Sequence, residues 1–325
     1  MANLSIIFAG TPDFAVPALQ ALLKDTSYSV CAVYTQPDKP SGRGRKLTAS
    51  PIKQLAETYH IPVYQPNSLK DPHAQEELAR LKADLMIVAA YGLILPKVVL
   101  AMPRLGCINI HASLLPRWRG ASPIQKSILS GDKISGISIM QMEAGLDTGP
   151  IFAQQTCPIL ADDTSQTLHD RLAQLGAKTL LEILPKIERQ QLTAQAQPQM
   201  GVTYAGKIIK EDAQLDWSQP ALQLYRAIRA YNPWPIAFTY LNGHLIRIWD
   251  ALPIEEINRP SEKQPEPGTL IQVTKQGIDV ATGLGVLRIT KAQLPGSKIL
   301  SVADLLNAQR HEFQINRQFS SAGLK

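Results

Sequence analysis

Four short apolar runs limit what the first half of this chain can become: residues 4–9 (LSIIFA), 29–35 (SVCAVYT), 83–90 (ADLMIVAA) and 106–112 (GCINIHA). The last two are rich enough in apolar residues to need cover on both sides. Stretches of helical period lie between them; after Gly10, for example, Phe14, Val16, Leu19, Leu22 and Leu23 carry the apolar pattern. Strands covered on both faces and joined through helices predict a mostly parallel, Rossmann-like α/β sheet. Residues 136–142 and 150–159, with EAGLDTG between them, predict a hairpin closing that sheet. Asp163 or Thr164 then stands where a cap is needed for a helix whose Leu168, Leu172 and Leu175 share a stripe.

The texture changes after about residue 187. RQQLTAQAQPQMG is polar and Gln-rich with no periodic apolar face, as a linker is. A helix is expected from near Ser218 to just before Asn232-Pro233. Short strands follow, with Asn242-Gly243 between two alternating runs as a two-residue hairpin turn. The expected plan is a catalytic domain over 1–188, a linker over 189–206 and a small OB-like β-barrel domain over 207–325.

Several function classes fall away early. No apolar run reaches the roughly 18 to 20 residues of a membrane span, and MANLSIIFAG lacks the basic start of a secretory signal. No membrane partner is expected. Cys31, Cys107 and Cys157 are odd in number and far apart, so neither a disulfide framework nor a metal site is expected, and a reducing cytoplasm is the default. The first turn, FAGTPDF, carries Thr11-Pro12 where a dinucleotide fold needs its glycine run, and proline offers no N–H to a phosphate. A net charge of +6 suits an anionic partner.

The chemistry concentrates in GCINIHASLLPRWRGASPI, residues 106–124. Asn109 and His111 are two apart on a strand and therefore share a face, near the carboxyl end where open α/β sheets place ligands. Asp147, flanked by Gly145 and Gly149, belongs to a loop suited to bend towards them. A carboxylate beside an imidazole favours its protonated form and fixes its orientation. An amide donor, an imidazole and a carboxylate on adjacent sheet ends suit a reaction that passes through an oxyanion. No Ser stands in a G-x-S-x-G elbow and Cys107 is expected inside a strand, so acyl-enzyme chemistry has little support.

INIHASLLPRWRGASPI followed by MEAGLDTG closely resembles the folate-dependent formyltransferases. FAGTPDFAVPAL, TQPDKPSGRGRKLTASPIK, VAAYGLILPK, VTYAGKI and AYNPWPIAF fall in that family's order and spacing, so the resemblance covers nearly the whole chain. Ala112 is one departure, since many relatives carry Gly after the His. The resemblance implies transfer of formyl from 10-formyltetrahydrofolate, a co-substrate, to the α-amino group of methionine on initiator methionyl-tRNA. It assigns catalysis to Asn109, His111 and Asp147, and folate contact to Ser113, Leu114, Leu115 and Pro116. On this reading Asn109 and His111 donate to the oxyanion, while Asp147 holds His111 and helps to remove the amine proton.

Residues 35–50 (TQPDKPSGRGRKLTAS) set Lys39, Arg43, Arg45 and Lys46 against the single acid Asp38. By composition this is a solvated loop; the resemblance makes it the contact with the tRNA acceptor stem, with Arg43 foremost. Lys207 and Lys210 would extend that surface onto the barrel domain, itself a suitable platform for nucleic acid. A monomer is expected. Two other readings keep the fold: a formyltransferase acting on an amino sugar nucleotide, and a non-catalytic RNA-binding protein.

Overall fold

The computed structural model describes residues 3–41, 46–254, 265–308 and 312–320. It divides into two compact units: Met1–Pro123 with Lys133–Pro158 and Leu168–Gly206, and Ile124–Asp132 with Ile159–Thr167 and Lys207–Lys325.

In the first unit the strands are β1 (Leu4–Gly10), β2 (Tyr28–Tyr34), β3 (Lys39–Ser41), β4 (Lys46–Thr48), β5 (Val63–Tyr64), β6 (Leu85–Ala89), β7 (Cys107–His111), β8 (Arg119–Gly120), β9 (Ile134–Gln141), β10 (Ile151–Pro158) and β11 (Tyr204–Ala205). Seven of them form one sheet in the order β10-β9-β7-β6-β1-β2-β5. The strands from β7 to β5 are parallel, and β9 and β10 add an antiparallel edge. Every residue of β6 is buried, as is nearly all of β1, which is why these strands read as continuous apolar runs. Helices Val16–Lys24, Pro51–Thr58 and Pro72–Arg80 follow the first strands. Ser50 and Asp71 cap the latter two by accepting from Lys53 N and His73 N. Ile7, Ala9, Tyr34, Leu69, Met86 and Val88 belong to the core packed here.

The segment 35–50, expected as a loop, pairs its two ends as a short antiparallel hairpin, Lys39 opposite Thr48 and Ser41 opposite Lys46. Backbone pairing overrides the turn-like composition because both stems are tied down. Thr35 Oγ1 and Ser50 Oγ share a 2.7 Å hydrogen bond, and Asp38 pairs with Lys53 at 2.7 Å.

In the second unit the helix Ala221–Ala230 begins later than Ser218 because Ser218 instead bonds Asp216. Its strands are β12 (Phe238–Leu241), β13 (His244–Ile254), β14 (Leu270–Thr274), β15 (Gly277–Ala281), β16 (Val286–Gln293) and β17 (Leu300–Ser301). They form an antiparallel sheet ordered β12-β13-β16-β15-β14, with β17 on β16. Asn242 and Gly243 both take positive φ, as the turn between β12 and β13 requires. Residues 316–320 bridge the two edges: Ser320 pairs with Tyr240 of β12, while Arg317 O accepts from Leu270 N of β14. The barrel is thus closed by residues 316–320, and Phe319 stacks on Trp217 at 5.2 Å inside it. Asp279, fully buried, is held by Arg288 through two hydrogen bonds of 2.6 and 2.8 Å. No helix among the described residues is long and apolar enough to cross a membrane.

Candidate active site

At the carboxyl ends of the parallel strands, three loops meet on one carbonyl. Tyr91 O, after β6, accepts from Thr11 Oγ1 at 2.9 Å and from Gln36 Nε2 at 3.1 Å. Those donors follow β1 and β2, so the Thr11-Pro12 turn serves as a structural tie.

Beside it, β7 presents Asn109 and His111 from one face. Antiparallel pairing sets Asn109 opposite Met140 and His111 opposite Ser138. The connection after β9 therefore starts level with the beginning of β7, where Met142 N donates to Cys107 O at 2.8 Å. Asp147 lies in that connection and comes back over the strand rather than standing at an adjacent strand end. Its backbone is left-handed, with φ +50°, a conformation that few non-glycine residues adopt.

Asn109 Nδ2 donates to Asp147 Oδ1 at 3.5 Å, a loose bond that leaves the amide able to turn to another acceptor. His111 Nε2 lies 3.0 Å from Trp118 O. A carbonyl only accepts, so Nε2 carries a hydrogen, and Nδ1 faces Asp147 Oδ2 at 3.7 Å. That is ion-pair range and too long for a hydrogen bond, so nothing in the pair fully satisfies Nδ1. Asp147 Oδ2 is fixed instead by the Gly120 N–H at 2.8 Å. The His111 side chain is 6% exposed and that of Asp147 15% exposed, so their electrostatic coupling is poorly screened. Cys107 is buried, which pushes its thiol up to about 12 and leaves it inert as a nucleophile.

The candidate folate segment follows directly. Ser113 is buried and donates to Arg117 O at 2.6 Å. Ser138 Oγ donates to Ser113 O and accepts from Leu115 N, and Gln154 Nε2 donates to Leu115 O. Leu114 and Pro116 are half-buried beyond this fixed backbone, in a turn with a cis Leu115–Pro116 bond. The sequence singled out neither Ser138, buried on β9, nor Gln154, exposed on the edge strand β10, because alternation alone does not distinguish a side chain that fixes a loop from its neighbours.

The 189–206 stretch is also anchored. Gln195 and Ile151 exchange backbone hydrogen bonds of 2.7 and 2.8 Å, and β11 pairs with β8 in parallel. Gln197 Nε2 donates to Asp147 O and Gly149 O, both at 2.8 Å, and its Oε1 accepts from Arg119 Nε at 3.0 Å and Nη2 at 2.7 Å.

Lys39 and Lys46 are exposed on facing strands of the basic hairpin; Arg43 and Arg45 lie outside the described residues. Lys207 and Lys210 are exposed in the second unit. Tyr231 of the aromatic YNPWPIAF stretch is buried against Ile208 and Ala213, whereas Trp234 is half exposed. Among the described residues no group of three or more His, Cys, Asp or Glu side chains could hold a metal ion.

A family model described as formyl transferase matches residues 2–184, and one described as formyl transferase, C-terminal domain, matches 207–310. The methionyl-tRNA formyltransferase of Nitrosococcus oceani is 54% identical over 304 residues, 93% of this chain and 92% of that protein. That of Hahella chejuensis is 51% identical over 314 residues, 97% of each chain. Among solved structures, HypX of Aquifex aeolicus in complex with tetrahydrofolic acid has a TM-score of 0.61 at 19% identity, over 97% of this chain and 49% of that one. The sugar 3N-formyl transferase WlaRD has a TM-score of 0.65 at 18% identity, over 92% and 100%. At these identities the two structures share the fold.

Proposed function

The chain belongs to the formyl transferase family, and from that membership we propose that it moves a formyl group from 10-formyltetrahydrofolate to the α-amino group of methionine on initiator methionyl-tRNA. The observation that carries the chemistry is the convergence of three side chains: Asp147 meets Asn109 at 3.5 Å and His111 at 3.7 Å.

The neutral amine attacks the formyl carbon directly, and negative charge develops on the formyl oxygen. Asn109 Nδ2, only loosely held by Asp147, turns to donate to that oxygen, and a hydrogen on His111 Nδ1 supplies a second donor. His111 Nε2 cannot do so while it serves Trp118 O. Asp147 takes the proton that the amine loses on attack and returns one to the folate nitrogen as the carbon–nitrogen bond to it breaks. Trp118 O and Gly120 N–H, each holding one partner of the His111–Asp147 pair, keep the two facing each other. The Ser113–Pro116 segment fits a folate because its backbone is already pinned by Ser138 and Gln154, leaving Leu114 and Pro116 as an apolar wall. The hairpin carrying Lys39 and Lys46, with Arg43 and Arg45 between them, grips the acceptor stem, and Lys207 and Lys210 add charge on the barrel domain.

An amino sugar nucleotide as acceptor is the weaker reading, because the relatives above half identity act on methionyl-tRNA whereas the sugar enzyme shares only the fold. Formylation assays with one donor and either acceptor separate the two. Rapid transfer to methionyl initiator tRNA is expected. Preference for the sugar nucleotide, or formate release without any acceptor, refutes the proposal.

A further inference from the structure

Asp147 is fixed by a closed ring of hydrogen bonds whose remotest member is Gln197. Oδ2 of Asp147 accepts from Gly120 N; Arg119, the residue before Gly120, donates twice to Gln197 Oε1; and Gln197 Nε2 donates back to the carbonyls of Asp147 and Gly149. One amide side chain thus satisfies four hydrogen bonds and joins the loop that carries the carboxylate to the loop that orients it. Gln197 is itself held on both sides. Gln195 pairs with Ile151, and Thr203 and Ala205 accept from Arg119 N and Ala121 N at 2.9 and 2.8 Å. Thr203 Oγ1 also accepts from Trp118 N at 2.9 Å, and Trp118 O is the partner of His111.

We infer that Gln197 is a positioning residue for the transfer reaction: residues 195–205 form a strap across the substrate-side loops, and its amide holds the strained Asp147 backbone so that the carboxylate faces His111. The inference rests on the function proposed above for Asp147. Gln197 itself need touch neither substrate, since it acts through backbone carbonyls and Arg119.

Gln197→Met keeps the length and flexibility of the side chain and removes all four hydrogen bonds. A shift of the carboxylate on the order of 1 Å lowers kcat about 100-fold, with KM for 10-formyltetrahydrofolate and for methionyl-tRNA within about two-fold of wild type. Gln197→Glu keeps an acceptor for Arg119 but sets oxygen against two carbonyls, so a comparable kcat loss is expected and locates the effect in the donor half. In an Asp147→Asn background the Gln197→Met change should cost under three-fold more, because a residue acting through Asp147 has little left to act on. Hydrogen exchange of the Gly120 amide reads the same geometry without turnover and should be about ten-fold faster in Gln197→Met. Wild-type kcat in Gln197→Met, full multiplication of the two losses, or unchanged Gly120 exchange would each overturn the inference. Absence of methionyl-tRNA formylation by the wild-type protein sinks the proposed function instead, and the exchange measurement still decides the role of Gln197.

Discussion

Gly120→Ala is a sharp test of how the site is held. Gly120 has φ +118° and contributes the N–H that fixes Asp147 Oδ2 at 2.8 Å. A Cβ placed on it would lie 2.6 Å from Ala205 O, a backbone atom fixed by the β8–β11 pairing. Reaching even a tight 3.0 Å contact requires the two backbones to part by roughly 0.4 Å, and ordinary contact requires about twice that. Taken up along the bond to Asp147, movement of that size lengthens the Gly120 N–H contact from 2.8 Å to about 3.2–3.6 Å, at or beyond the limit of a good hydrogen bond. The strained backbone costs about 1–3 kcal/mol, which at roughly 2–4 °C per kcal/mol lowers Tm by roughly 2–12 °C. The misplaced carboxylate, displaced by less than roughly 1 Å, lowers kcat by up to about 100-fold. Steady-state kinetics with both substrates and calorimetric melting measure the two effects separately. Gly206→Ala is the control: a Cβ there meets nothing within 4 Å, so both readouts should stay at wild type. A Gly120→Ala enzyme whose kcat stays within two-fold of wild type would refute the claim that this amide orients Asp147.

Asn109→Ala should lower kcat about 100- to 1,000-fold while affinity for the formyl donor holds, as loss of an oxyanion donor does; a rate within a few-fold of wild type in single-turnover assays excludes that role. Its stability should hardly change, because the amide's bond to Asp147 is long. Arg43→Ala should raise KM for tRNA and reduce the slope of log KM against log salt by about one counterion, with folate binding intact; parallel loss of both activities points to misfolding. Hydrogen bonds from Lys53 and Gln65 hold the Asp38 carboxyl below its ordinary 3.8. Its stabilising effect is therefore complete above about pH 3.8 and is lost as pH falls through the lower folded value. The Tm gap between wild type and Asp38→Asn should be open at neutral pH and close in strong acid, and a gap that widens on acidification contradicts the assignment. Native Cys107 should resist alkylation at neutral pH, read by mass spectrometry, with kcat unaffected by the reagent; modification that tracks loss of activity would make Cys107 part of the chemistry.

What could be read from sequence divides along a physical line. Strands β1, β6 and β7 announced themselves because burial on both faces leaves continuous apolar runs. Asn109 and His111 stood out against such a run, and a two-residue spacing is enough to give them one face. Asp147 was legible from its flanking glycines and the family pattern, although the register that brings it back over β7 was not. The hairpin in residues 35–50 was hidden because Lys, Pro and Ser pair there through backbone alone. Gln197 was hidden more completely. It is one of several glutamines in a polar stretch, and only its distant partners, Asp147, Gly149 and Arg119, distinguish it from Gln195 or Gln199.

The closure of the barrel by residues 316–320 bears on how the protein is made. The first unit draws on nothing beyond Gly206 and can reach its fold while synthesis continues. The other unit cannot close until residues 316–320 have been made, because their backbone groups join β12 to β14. A chain that stalls before Asn316 leaves Tyr240 of β12 and Leu270 of β14 without these backbone partners, and each such open stretch of strand is a template for a neighbouring nascent chain. Quality control of such products would meet them as barrel-edge aggregates that still bear a completed first unit.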